Sequence, residues 1–128
     1  MIARLQRRLR QQASAGITPS QLAVLSALNR LGPSTPGELA TAEAVQPPSI
    51  TRIVNALEDN QLVERMVVSD DRRSVKLRLT PKARRLLQSI RDRRTAWLAE
   101  RFAELTPEQV DDLQRGIAAL ELIVGSGR

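Results

Sequence analysis

Residues 46–80, QPPSITRIVNALEDNQLVERMVVSDDRRSVKLRLT, decide the fold. The stretch opens on Pro47-Pro48, residues whose locked φ and missing N–H suit the first turn of a helix. Ile50, Ile53, Val54 and Leu57 then recur at i, i+3, i+4 and i+7, which makes one apolar helix face. At about 100° per residue Arg52 points away from that face, flanked by Pro48 and Asn55, with Ser49 and Thr51 nearer the edges. After the helix the apolar period shortens from about 3.6 residues to about 2. Val75, Leu77 and Leu79 alternate with Lys76 and Arg78, the pattern of a half-buried strand. Residues 63–68 are the predicted partner strand and residues 69–74 the joining loop. A helix with a small polar and cationic outer face, followed by a basic-tipped hairpin, suits double-stranded DNA. The helix fits the major groove, and the hairpin fits the backbone and minor groove.

The distribution of charge agrees. Residues 65–85 hold eight Lys or Arg and two Asp, a net of +6, which equals the net charge of the whole chain. Basic charge gathered on the hairpin and its flank is the electrostatic footprint of a nucleic-acid surface; the competing reading is a solvated, solubilising face. With neither Cys nor His, the chain has no means of forming disulfides or zinc–thiolate sites, and it lacks the commonest general base. There is also no Tyr and no phosphate-binding glycine loop, so no enzyme, metal site or cofactor is expected. No apolar run is long enough to span a bilayer, and residues 1–12 are arginine-rich without a signal-peptide core. The expectation is a cytoplasmic protein with no membrane partner. At 128 residues it is one domain-sized unit able to bury a moderate core.

Around the deciding stretch the other elements are well punctuated. Thr18-Pro19, Thr35-Pro36, Thr80-Pro81 and Thr106-Pro107 each place a capping hydroxyl before a proline at the first helical position. Gln21, Glu38 and Gln109 stand where three of these become capping boxes. Residues 1–13 read as an amphipathic helix with Ile2, Leu5 and Leu9 on one side. Residues 19–31 are apolar nearly all round and are expected to be the central buried helix, ended by Gly32-Pro33. Residues 36–44 make a short helix, and Val45-Gln46 the turn into the next. Residues 81–105 read as one long helix that carries the only aromatics, Trp97 and Phe102. Beyond it Val110, Leu113, Ile117, Leu120 and Val124 recur at 3-4-3-4, the seam of helices packed at a shallow angle, within a bundle or against a second subunit.

Residues 35–80 resemble the winged helix-turn-helix of the multiple-antibiotic-resistance regulator (MarR) family. The resemblance is carried by Ser49-Ile50-Thr51-Arg52, Leu62-Val63-Glu64-Arg65, Asp71-Arg72-Arg73 and Leu79-Thr80. It departs from the family pattern at Gln61 and Ala83, where Gly is common, and at the wing entry Val67-Val68-Ser69. The implied fold is mostly α with a small β-hairpin wing: a winged helix-turn-helix at 17–80 plus a helical dimerisation region at 1–16 and 81–128. It implies a sequence-specific regulator, in most cases a repressor, that binds a pseudo-palindromic operator as a homodimer. The expected DNA-binding residues are Gln46, Pro48, Ser49, Thr51, Arg52, Asn55, Arg72, Arg73, Lys76 and Arg78. Asp71 holds a wing arginine by the family's Asp-Arg pattern; by residue type alone it is equally a turn residue. The dimer interface is expected at Ile2, Leu5, Leu9, Val110, Leu113, Ile117, Leu120 and Val124. A small anionic or aromatic effector is a further expected partner, with Arg10, Arg94 and Trp97 as candidate contacts against the plainer reading of solvated or paired arginines. A winged helix used as a protein-interaction or non-specific architectural module is the alternative.

Overall fold

The computed structural model describes residues 1–12, 16–67 and 75–125. In chain order the elements are α1 (Ile2–Gln12), α2 (Pro19–Leu31), α3 (Pro36–Ala42), α4 (Pro47–Asp59), β1 (Val63–Val67), β2 (Val75–Leu79), α5 (Pro81–Phe102) and α6 (Pro107–Val124). The Thr-Pro pairs start their helices as expected. The hydroxyls of Thr18, Thr35 and Thr106 accept the N–H of the third helical residue at 3.1, 3.1 and 3.2 Å. Gln21 and Gln109 close their boxes by accepting the threonine N–H at 3.0 and 2.9 Å. Glu38 instead accepts from the Thr35 hydroxyl at 3.2 Å, so that box closes on one side only.

Met1–Arg93 form one compact unit and Arg94–Arg128 a second, with α5 contributing to both. The first is built on α2, α3, α4 and the hairpin. Val24, Leu25, Ala27 and Leu28 of α2 meet Leu39 of α3, Ile50, Val54 and Leu57 of α4, and Leu62, Val63, Leu77 and Leu79 of the hairpin. Ala83 and Leu87 of α5 join the same cluster. As expected, α2 is a central helix of the core, though not on every side. Ser26, Asn29 and Arg30 face outward, and Leu31 is half exposed, because the neighbouring elements cover one side of the helix only.

The hairpin is antiparallel, pairing Val63 with Leu79, Arg65 with Leu77 and Val67 with Val75. A third piece of backbone joins it: Ser34 exchanges hydrogen bonds with Leu77, N–H to O at 3.1 Å and back at 2.7 Å. This bridge anchors the hairpin to the end of α2. Gly32 makes the approach possible, since its φ of 78° lies in the left-handed region that side chains avoid.

In the second unit, α6 has no buried residue. Trp97 and Leu98 of α5 are half buried, and the Arg101 guanidinium lies over the Trp97 ring at 5.2 Å. Among the described residues no helix is long and apolar enough to cross a membrane.

Candidate nucleic-acid interface

α4 has a covered side and an open side. Ile50, Val54 and Leu57 are buried to within 2% of full cover, so the helix can rotate no further without losing its grip on the core. Their burial forces Pro48, Ser49, Thr51, Arg52 and Asn55 to the surface, with Gln46 at the N-cap. All six expected contacts are exposed on this one helix. Gln46 makes no side-chain cap, and the Thr51 hydroxyl donates to Pro47 O at 3.1 Å, which leaves its lone pairs outward as acceptors. Arg52 forms no ion pair among the described residues, so its five donors are free for a base edge or a phosphate. Between α3 and α4 the chain turns through Ala44, whose φ of 52° is left-handed.

The two faces of the hairpin differ as alternation demands. Val63, Leu77 and Leu79 point inward and are buried. Glu64 pairs across the strands with Arg78 and Met66 with Lys76. The Arg78 Nε donates to Glu64 Oε1 at 2.7 Å, so one of the expected DNA contacts is already paired to an acid. Lys76 is half buried and forms no ion pair among the described residues. Asp71, Arg72 and Arg73, and with them the joining loop, lie outside the described residues.

Three ties escape a reading of the chain alone. Arg65 of β1 reaches back to the last turn of α4, its Nε and Nη2 donating to one oxygen of Glu58 at 2.9 and 2.8 Å. That hydrogen bond raises the Arg65 pKa above its ordinary value; slight desolvation opposes the rise and the Glu58 charge adds to it. At the far side, Thr80 is both a cap and a strut: its hydroxyl accepts from Ala83 N–H at 3.2 Å and donates to Gln61 O at 2.7 Å. Lys82 Nζ donates to Asn60 O at 2.8 Å, closing the C-terminal end of α4 against the start of α5. Only the capping role of Thr80 had a sequence signal. The partners of Arg65 and Lys82 are seven and 22 residues away, which no local pattern announces.

The other expected sites are also placed. Ile2 and Leu5 of α1 are exposed and Leu9 is half buried; Leu113, Ile117, Leu120 and Val124 of α6 are exposed and Val110 half buried. Arg10 lines a cleft of about 310 Å³ with Arg7, Gln11, Ile17, Thr18, Pro19 and Leu22. Arg94 and Trp97 belong to the second unit, both half buried, and the Arg94 Nε is buried without a hydrogen-bond partner among the described residues.

A short helix, a second helix with an open polar face, and an antiparallel cationic hairpin bridged to the preceding segment make up a winged helix-turn-helix, a DNA-binding fold. Residues 17–75 match the MarR family. An uncharacterized HTH-type transcriptional regulator of Mycobacterium bovis is 38% identical over 114 residues, which span 88% of this chain and 80% of that one. The HTH-type transcriptional repressor MdtR of Bacillus subtilis is 30% identical over 80% of this chain and 66% of its own. The structure of a MarR family protein from Bacillus stearothermophilus superposes with a TM-score of 0.79 at 27% identity, covering 96% of this chain and 86% of that one. The chain belongs to the MarR family of helix-turn-helix transcriptional regulators, which bind DNA and are not enzymes.

Proposed function

We propose that the protein is a homodimeric repressor that binds a pseudo-palindromic operator in double-stranded DNA and leaves it when a small anionic or aromatic effector binds. The observation that carries this reading is the open face of α4, where Ser49, Thr51, Arg52 and Asn55 are exposed while Ile50, Val54 and Leu57 are locked in the core. Each subunit lays α4 in a major groove, with Arg52 on a guanine edge and Ser49 and Thr51 on neighbouring bases. The hairpin follows the backbone into the adjacent minor groove, with Arg72 and Arg73 at its tip and Lys76 on phosphate. The repressor role is supported by the likeness to MdtR, itself a repressor. The uncovered apolar sides of α1 and α6 support the dimer. For the effector, two guanidiniums, Arg7 and Arg10, stand with Ile17, Pro19 and Leu22 around one cleft. Those are the groups that hold a carboxylate and an apolar body.

Selection of bound duplexes from a random pool tests specificity and symmetry together. A two-fold symmetric consensus is expected, and Arg52→Ala should cost about 1–3 kcal/mol at one base pair per half-site. Lys76→Ala should weaken all sequences evenly. Parallel loss on specific and random DNA in both variants would reduce Arg52 to a phosphate contact and favour a non-specific architectural role.

A further inference from the structure

The hairpin is gripped by the core at its root and loses that grip toward its tip. Val63 and Leu79, the first pair, are 3% and 6% exposed, whereas Val67, in the last pair of the stem, is 69% exposed. Arg65 stands midway, opposite Leu77, which is itself buried and bridged to Ser34. No apolar side chain on that inner face beyond Arg65 and Leu77 is buried among the described residues. Among the described residues, the side-chain hydrogen bond that ties β1 to α4 is the one Arg65 makes with Glu58.

That fastening ends on the recognition helix itself. Glu58 sits in the last turn of α4, one residue past Leu57, and offers one oxygen to two N–H groups of the same guanidinium. A planar fork of two donors restrains direction as well as distance, which a lysine ammonium does not do. The pair is also solvent-exposed, with side chains 51% and 29% accessible. Exposed pairs of this kind add little to folding stability. Its consequence is geometric.

We propose that Glu58 and Arg65 are positioning residues for DNA recognition: a brace that sets the angle of the wing to the recognition helix. The brace fixes the distance along the duplex between the bases read by α4 and the minor groove reached by the wing. The inference rests on the reading given above, that helix and wing contact the same half-site. Arg65 itself is spent on Glu58 and contributes no phosphate contact. A protein with the brace reads a half-site as one rigid template. Without it, the two contacts become independent and tolerate altered spacing.

The test uses the full-length protein and a duplex series in which the core base pairs are constant and a short A·T tract is moved outward one base pair at a time. For the wild type, affinity should vary on the order of 10-fold across the series, the effect of a badly placed contact. Glu58→Gln and Arg65→Gln should each flatten that variation to about two-fold while thermal stability stays near that of the wild type. Arg65→Lys should retain part of the variation, and the charge-swapped double variant Glu58→Arg with Arg65→Glu should restore most of it. A wild-type spacing profile in Glu58→Gln would overturn the brace and leave the wing contact standing. An even loss of affinity at all spacings in Arg65→Gln, with the profile kept, would make Arg65 a phosphate contact and also overturn it. A wild type indifferent to the position of the tract would overturn the wing contact and the brace with it.

Discussion

α4 and α6 carry nearly the same apolar pattern and reach opposite ends. In α4 the stripe Ile50, Val54 and Leu57 is sealed into the core. In α6 the stripe Leu113, Ile117 and Leu120 is 37%, 46% and 44% exposed. The spacing of side chains on a helix says that one face is apolar; it does not say whether the same chain supplies the cover. α4 finds its cover within the unit that ends at Arg93, in α2, α3 and the hairpin. α6 belongs to a unit of 35 residues, too few to bury an apolar stripe of its own. The first region, the proposed reading head, covers the apolar stripe of α4 and pairs the charges at Arg65 and Arg78. The second presents an exposed apolar helix face, the one assigned above to the proposed subunit seam.

The largest effect should come from putting charge into the open stripe. Leu113→Asp with Ile117→Asp desolvates two carboxylates in the proposed subunit seam, which is prohibitive for an unpaired charge. Sedimentation should show monomers at micromolar concentration. Operator affinity should fall by about 10²–10⁴-fold, because two half-sites are no longer held by one particle. A wild type that sediments as a stable monomer would end the contrast between the two helices.

In the sealed stripe the expected outcome is different in kind. Leu57→Ala should lower the stability of the fold by about 2–5 kcal/mol, the range for truncating a fully buried leucine. Its loss in melting temperature should be the same at all protein concentrations, whereas a seam variant's should shrink on dilution, because the wild-type dimer loses association stabilisation that the monomeric variant never had. Thermal melts across a hundred-fold concentration range distinguish the two. Concentration dependence in both or neither would mean that the helices are not differently covered.

The smallest effect concerns the paired charges. Glu64→Gln frees Arg78 to meet a phosphate, adding one contact per subunit. The slope of log K against log salt should become steeper by about 2 units for a dimer. Binding to random DNA should strengthen and discrimination should narrow, since the gain is blind to sequence. An unchanged slope would place Arg78 away from the duplex, with or without its acid.

Much of the reading head was legible in the chain because its signals are local. The proline pair at 47–48, the spacing of Ile50, Val54 and Leu57, and the alternation from Val75 to Leu79 each span a few residues and report a period set by backbone geometry. The same holds for the threonine caps, whose partners lie three residues on. Local pattern reports the extent of cover less closely: α2 reads as apolar nearly all round and is central to the core, yet Leu31 at its end is half exposed. Gln61, where the family resemblance has glycine as the common residue, takes a φ of 59° and turns the chain from α4 into the hairpin.

By itself, then, the sequence determined the number and order of the elements, the sealed and open faces of α4, and the placement of net charge on the hairpin and its flank, all of which follow from short-range periodicity and composition. Tertiary structure alone decided which cations are free. Arg52 and Lys76 form no ion pair among the described residues, whereas Arg65 and Arg78 are held by Glu58 and Glu64. It also decided that Ser34 joins the hairpin and that Lys82 closes the end of α4. The physical reason is common to all of these. A charge or a backbone group is satisfied by whatever lies within about 3 Å of it, and folding brings into that range residues that the linear order keeps far apart.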